Sequence, residues 1–144
     1  MKYTILILAL LLGISLTLTA QNENLILGNW ITENGNGIIQ IYKAKDGTIQ
    51  GKIIKATSKE DKKGPLVDDK NPDPALRNRP IIGLVILRDF KFNGEMWKNG
   101  LIYDPDNGKE YSCKMWLEDK NTLKIRGYIG ISLLGRTEIW IRSF

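Results

Sequence analysis

The chain has 144 residues, a formal net charge of +5 at neutral pH, a single cysteine and no histidine. This length suits one domain, a lone cysteine excludes an internal disulfide, and the lack of imidazole excludes Ser-His-Asp triads and histidine zinc sites. The modest positive charge is more typical of solubility than of nucleic-acid binding, so no nucleic-acid partner is expected.

The first 20 residues are predicted to be a secretory signal peptide. Lys2 gives a positive start, an apolar run extends from Ile5 to Leu12, and Ala20 is a small residue suited to cleavage. A membrane anchor is the alternative, but the apolar run is short for crossing a bilayer. We therefore expect an exported protein of the periplasm or extracellular space that is not a transmembrane protein, with its single domain at 21–144.

Short runs rich in Ile, Val, Trp and Tyr alternate with Asn-Gly and Asp-Gly turn signals along the rest of the chain. This pattern predicts an all-β fold, and the tight turns favour a single antiparallel up-and-down barrel that closes on itself. The eight predicted strands are 26–33, 37–44, 48–56, 82–90, 95–103, 109–118, 122–129 and 135–143.

The segment 57–80, between the third and fourth predicted strands, holds four of the five prolines. Proline excludes a central strand, and a connection of this length is either functional or disordered. A short helix is predicted from Pro74 to Asn78, with Asp73 as its N-cap.

Alternate turns of a meander lie at the same end of the barrel. One rim therefore carries the long and polar connections, whereas the other has only tight turns and is expected to be plugged by side chains. Functional residues collect on long loops above a rigid scaffold. The predicted open rim is formed by 34–36, 57–80, 104–108 and 130–134.

Charged and amide side chains gather on this rim, and they are the candidate ligand-binding residues. Arg77 and Arg79 have the chemistry to hold a carboxylate or phosphate, or else they pair with nearby acids and fix the loop, which is the favoured interpretation. The candidate set is Arg77, Arg79, Asp68, Asn71 and Asp104.

The spacing of Asp69, Asn71 and Asp73 matches the start of a calcium-binding loop. Pro74 stands where that loop needs glycine, and Pro80 where it needs glutamate. Turn formation is therefore the favoured role, and no metal site is predicted.

The sequence offers no catalytic constellation, so we expect a protein that is not an enzyme and has no cofactor. Its serines after the signal do not stand in a nucleophile elbow, and no glycine-rich phosphate loop is present. A carboxylate pair acting on a glycan is the alternative left open. Cys113 falls in an alternating apolar run and is interpreted as an inert buried thiol rather than a reactive one.

Gly28-Asn29-Trp30 opens the first predicted strand, and Trp140-Ile141-Arg142 ends the last. Paired strands would place Arg142 over the face of Trp30 and close the bottom of the barrel. The two motifs resemble the Gly-x-Trp and terminal-strand arginine of the lipocalin and calycin barrels. Barrel closure is assigned to Gly28, Trp30, Trp140 and Arg142.

A wider resemblance covers roughly residues 26–143. The pattern is similar to a bacterial family called domain of unknown function 2147, whose members are small secreted or periplasmic proteins with a calycin-like barrel. The resemblance implies a fold and a compartment, and no reaction. Its segments include Asn71-Pro72-Asp73-Pro74, Ile102-Tyr103-Asp104-Pro105, Arg126-Gly127-Tyr128 and Leu134-Gly135-Arg136.

The main functional hypothesis is a binding protein that holds a small apolar or amphipathic ligand in its lumen. The alternating runs 111–117 and 123–129 offer an apolar lining, and Gly51 and Gly127 either leave space or permit strand bending. An anionic ligand head would meet Arg77 or Arg79. The alternative is an envelope interaction module that contacts a protein or cell-wall polymer through its rim or outer surface.

Overall fold

The computed structural model describes residues 23–57 and 64–144, so the predicted signal peptide lies outside the described residues. Eight strands form a closed antiparallel barrel in which each strand pairs with the next and β8 pairs with β1. The all-β meander predicted from the turn signals is therefore confirmed. The strands are β1 (Gly28–Ile31), β2 (Gly37–Lys43), β3 (Ile49–Ala56), β4 (Val85–Phe92), β5 (Trp97–Asp104), β6 (Lys109–Asp119), β7 (Thr122–Tyr128) and β8 (Gly135–Ser143).

The strand boundaries differ from the predicted ones by at most three residues, and two of the shifted starts have a visible cause. The first strand was predicted from residue 26, but residues 23–26 form a helical turn, and the Ile26 carbonyl accepts a 2.8 Å hydrogen bond from the Trp30 indole. The fourth strand begins three residues late, because Gly83 turns the chain with a φ of +90° and donates its N–H to the Ile53 carbonyl.

The end of the barrel with the tight turns is filled by side chains. Trp30 and Phe90 are fully buried there, and Trp97 and Met115 pack with them into one apolar cluster. Burial of each large side chain contributes about 1.5–3 kcal/mol, so this plug is a main source of stability in a chain without a disulfide. The predicted closed end is therefore present.

The pairing of β4 with β5 is interrupted near the plug, where the Phe90 ring packs against Gly100. Asp89 and Asn99 adopt left-handed backbone conformations, with φ values of +66° and +60°, between regular stretches of the two strands. Aspartate and asparagine tolerate this conformation better than other side chains do. Gly100 lies beside the Phe90 ring, and a Cβ there would approach the ring to 2.4 Å. Phe90 thus occupies the space left by the missing side chain.

Arg142 closes the barrel by linking its last strand to the segment before its first. Its guanidinium lies 4.2 Å from the centre of the Trp30 ring, as the two motifs predicted. The same group donates hydrogen bonds to the carbonyls of Leu27 (2.9 Å) and Lys120 (2.8 Å) and to that of Leu25. Gly28 makes this possible, since a Cβ at that position would lie 3.0 Å from the guanidinium.

Candidate functional site

The open end of the barrel contains a cavity of about 770 Å³. This volume falls in the range of about 300–1,000 Å³ that is typical of small-molecule sites. Trp140 lies at its floor, next to the plug, and the walls come from the inward face of the strands. The apolar lining comprises Ile39, Ile53, Ile86, Ile102, Ile125 and Trp140 from strands, with Leu66 and Ile81 from the β3–β4 connection.

Polar side chains surround the mouth of this cavity. They come from the β1–β2 turn, the β3–β4 connection and the β5–β6 turn, which are three of the four segments predicted to form the open rim. An apolar interior below a polar entrance suits an amphipathic ligand. These residues include Asn34, Asn36, Asp69, Lys70, Asp104, Asp106 and Asn107.

Asp68 is the centre of a hydrogen-bond network that fixes residues 68–79 of the long connection. Its side chain is fully buried and accepts hydrogen bonds from the Tyr103 hydroxyl (2.6 Å), the Asn71 amide (2.8 Å) and the Arg79 guanidinium (2.8 Å). Burial opposes the charge of Asp68, but these three donors outweigh it and hold the pKa of the carboxyl below its ordinary value. Burial and the nearby Asp68 charge in turn raise the pKa of Tyr103.

The two candidate arginines are engaged within the connection. Arg79 pairs with Asp68 and lies against the Tyr103 ring, 5.7 Å from its centre, and Arg77 donates a 2.8 Å hydrogen bond to the Asn71 carbonyl. Of the five candidate site residues, only Asp104 is among the described residues that line the cavity. The other four are Arg77, Arg79, Asp68 and Asn71. The structure therefore gives these arginines the loop-fixing contacts, and the expectation of an anionic ligand head gains no support from them.

The segment that begins like a calcium loop forms turns. The Asn71 side chain accepts the backbone N–H of Asp73, and Asp73 caps the 3₁₀ helix Pro74–Leu76 by accepting the N–H of Ala75. The predicted short helix is present, with Asp73 as its cap, and it ends two residues earlier than expected. Within 23–57 and 64–144, no three Asp, Glu, Cys or His side chains come together in a way that could hold a metal ion.

Gly108 brings the β5–β6 turn against the long connection. Its φ is +72°, and a Cβ would lie 1.9 Å from the Lys70 carbonyl oxygen. The two backbones therefore touch at a point where only glycine fits. Together with the Asp68 network, this contact holds the connection beside the mouth of the cavity.

Glu138 is a cavity residue that was not among the predicted site residues. It lies on β8 between Arg136 and Trp140, and all three line the cavity because they share the inward face of the strand. Its carboxylate accepts a 3.1 Å hydrogen bond from the Trp140 indole. The alternation with Trp140 and Arg142 was the signal in the sequence that could have identified it.

The two glycines proposed to leave space in the lumen have different surroundings. A Cβ at Gly51 would lie 2.9 Å from Leu87 and 3.1 Å from Ile39, so its space is already filled. Gly127 lines the cavity, and a Cβ there would have its nearest contact at 3.5 Å, with Ile102. Gly127 therefore does contribute open volume, and Gly51 allows close packing instead.

The β7–β8 connection departs from the predicted rim. The described cavity lining includes no residue of 129–134, because this segment bends outward and Arg126, on the outer face of β7, donates hydrogen bonds to the carbonyls of Ser132 (2.7 Å) and Leu133 (3.3 Å). Ile129 was expected to face the lumen but is 68% exposed. Ile129, Ile131, Leu133 and Leu134, each more than half exposed, form an apolar lip on the outside of the barrel.

The chain matches the model of a bacterial family described as uncharacterized protein conserved in bacteria (DUF2147) over residues 28–142. The chain belongs to this family. A search of curated proteins returns no match. Among solved structures, this DUF2147 chain is similar to protein HP1028 from the human pathogen Helicobacter pylori, which is described as belonging to the lipocalin family.

The similarity to HP1028 has a TM-score of 0.71 and 23% sequence identity, over 83% of each chain. At this identity the match establishes the fold, a lipocalin-like barrel, and the resemblance seen in the sequence is confirmed at that level. In the part of the chain that the structure describes, there is no helix of the length and apolarity needed to span a membrane.

Proposed function

We propose that this protein is exported and binds a small apolar or amphipathic ligand in its barrel, without catalysing a reaction. The observation that carries the proposal is the division of the barrel interior. One half is a packed plug, and the other is an open cavity of about 770 Å³ with isoleucine walls. Barrels of eight strands are just wide enough to hold one small ligand or only their own side chains, and here the upper half is not filled.

A fixed entrance supports binding as the role of the cavity. The Asp68 network and the Gly108 contact hold residues 68–79 of the long connection in one place beside the mouth, so this side of the entrance is formed before a ligand arrives. Preorganised sites lose less conformational entropy on binding and gain affinity for that reason.

Gly127 offers a direct test of the cavity. Gly127→Leu places a side chain in the lumen, whereas Lys124→Leu adds an apolar side chain on the outer face of the same strand and serves as the matched control. Nile red, a neutral apolar dye, is titrated into each protein while its fluorescence is followed. We expect saturable binding to the unmodified protein and the control, and roughly tenfold weaker binding to Gly127→Leu. Equal affinities in the three proteins, or no saturable binding, would refute the proposal.

Export has its own test. The positive start at Lys2, the apolar run after it and the small residue Ala20 support cleavage of a signal peptide. Mass analysis of the protein from its own host should give a mature N-terminus at Gln21. A mature mass that retains Lys2 would contradict the proposal.

A second candidate function is an envelope interaction module, and the apolar lip favours it. Ile131, Leu133 and Leu134 are exposed together on a segment held in place by Arg126, and such patches mark contact surfaces. Their apolar character favours a protein partner over a cell-wall polymer. A partner cross-linked in the host to a probe at Leu133 should be lost in the variant Ile131→Ser. It should be retained when Ile82, an exposed residue of the β3–β4 connection, is changed to serine.

A further inference from the structure

We propose that the cavity selects ligands with a positively charged ammonium group on an apolar body, and that Glu138 is the counter-charge. The inference rests on the proposed binding function and names the chemical class of the ligand. It is carried by the position of one carboxylate among the isoleucine walls of the cavity and by the engagement of Arg77 and Arg79 within the long connection.

Glu138 lies deeper in the barrel than the other charged residues of the described lining. It is the fourth residue of β8, two residues from the floor residue Trp140, and it pairs with Ile125 in the adjacent strand. Asp104 ends β5, and Asp69, Lys70 and Asp106 lie in connections at the mouth. A ligand that enters with its polar group first would therefore meet Glu138 next to the isoleucine walls.

The Glu138 carboxylate is held in one orientation and retains capacity for a donor. Its Oε2 accepts the Trp140 indole N–H at 3.1 Å, which fixes the group against the floor of the cavity. An ionised carboxylate offers about four lone-pair sites, so one indole N–H leaves room for further donors. An ammonium group supplies three donors and a positive charge, and such charge-assisted hydrogen bonds are the stronger kind.

Arg136, the nearest cation, is shared between two glutamates. Its guanidinium lies 3.5 Å from Glu33 and 3.9 Å from Glu138, and its side chain is 78% exposed at the rim. Glu33 is fixed by a second donor, the backbone N–H of Ile139 at 3.2 Å. The trio of Glu33, Arg136 and Glu138 therefore carries one net negative charge, and Glu138 is the carboxylate of the trio that lines the cavity.

The two arginines that the sequence placed at the mouth do not supply a positive charge to the lumen. Arg77 and Arg79, which would have suited an anionic head, make their contacts within the long connection instead.

The test compares three ligands that share a ten-carbon chain and differ in the head group: decylamine, decanol and decanoic acid. Each is titrated into the full mature protein at neutral pH by isothermal calorimetry, below the micelle concentration of the two charged ligands and below the solubility limit of decanol. We expect decylamine to bind roughly tenfold more tightly than decanol, and decanoic acid to bind most weakly. Glu138→Gln, which keeps an acceptor for the Trp140 indole, should bind decylamine and decanol about equally. Glu118→Gln, an exposed glutamate at the opposite end, should behave as the unmodified protein does.

Each outcome separates the two proposals. If neither Nile red nor decanol binds in the lumen, the binding function itself is wrong. If decanol binds but decylamine has no advantage, or if Glu138→Gln keeps that advantage, the ammonium selectivity is wrong and the binding function stands. Should Glu138→Gln fail to fold, carbon NMR of the unmodified protein with labelled glutamate decides. The Glu138 carboxyl signal should shift with decylamine and not with decanol, and an unchanged signal overturns the inference.

Discussion

The Tyr103 hydroxyl donates a 2.6 Å hydrogen bond to the Asp68 carboxylate, which joins the end of β5 in the barrel wall to a buried point in the long connection. The two residues are 35 positions apart in the chain. Because Asn71 and Arg79 donate to the same carboxylate, a single ionised side chain fixes the position of the connection beside the cavity.

The charge of Asp68 should make stability depend on acid pH. The folded-state pKa of Asp68 lies below the ordinary value of about 3.9. The stabilising contribution of its charge is therefore complete above that ordinary value and is lost as the pH falls from there through the lower folded-state pKa. Asp68→Asn should lower stability by about 1–3 kcal/mol at neutral pH and should flatten the loss below about pH 5. Thermal melting across roughly pH 2–7 measures this. Asp89→Asn, at an exposed aspartate, is the control and should keep the acid dependence of the unmodified protein.

The three hydrogen bonds from Arg142 should make it irreplaceable by lysine. Lysine keeps the charge but lacks the planar group that reaches the carbonyls of Leu27 and Lys120 while covering Trp30. Arg142→Lys should lower the free energy of unfolding by about 1–3 kcal/mol. Arg88→Lys changes an exposed arginine that pairs with Glu110 and should cost less than about 1 kcal/mol. Urea denaturation with an unchanged m-value is the measurement, and equal losses in the two variants would contradict the role of Arg142.

Alanine substitutions at Gly108 and Gly47 distinguish the stability cost of backbone strain from the cost of a steric clash. Both have a positive φ, but a Cβ at Gly108 would collide with the Lys70 carbonyl, whereas nothing lies within 4 Å of one at Gly47. Gly47→Ala should cost about 1 kcal/mol from strain alone. Gly108→Ala should cost clearly more, and amide exchange should rise at Asn71, whose N–H bonds the Asp68 carbonyl. Similar effects in the two variants would show that the turn and the connection do not depend on each other.

Cys113 should resist thiol reagents in the folded protein. Burial, with a smaller contribution from the charge of Glu138, raises the pKa of the thiol to about 12, and the side chain has no exposed surface. Because the thiolate is the reactive form, modification at about pH 8 should occur only as fast as the protein opens. A chromogenic disulfide reagent should react within seconds in denaturant and over hours or longer without it. Rapid reaction of the folded protein would show that the thiol is accessible from the lumen.

The barrel could be predicted from the sequence because its signals are local. Asn34-Gly35 and Asn93-Gly94 mark turns by their backbone preferences, and the alternation between them fixes which side chains face inward. The contact of Arg142 with Trp30 followed from two motifs placed at matching ends of the meander. Each of these features depends on few residues and on the topology alone.

The site was less predictable because it depends on packing between distant segments. Pairing of Arg79 with a nearby acid was expected, but nothing in the chain singles out Asp68 as its partner or indicates that Tyr103 will donate to the same carboxylate. Whether the lumen is open likewise depends on volumes: Leu87 fills the space at Gly51, whereas the space at Gly127 stays empty. The outward bend after β7 follows from the bonds of Arg126 to carbonyls six and seven residues later, which no periodicity in the sequence reveals.

The fit of Phe90 against Gly100 has an evolutionary consequence. Phe90 on β4 and Gly100 on β5 share one space inside the barrel. The absence of a side chain at Gly100 leaves that space to the Phe90 ring. Exchanging the two, as in Phe90→Gly with Gly100→Phe, conserves that volume, whereas either change alone empties or overfills the plug. In other members of the family the two positions should therefore vary together, with a bulkier residue at one accompanied by a smaller residue at the other.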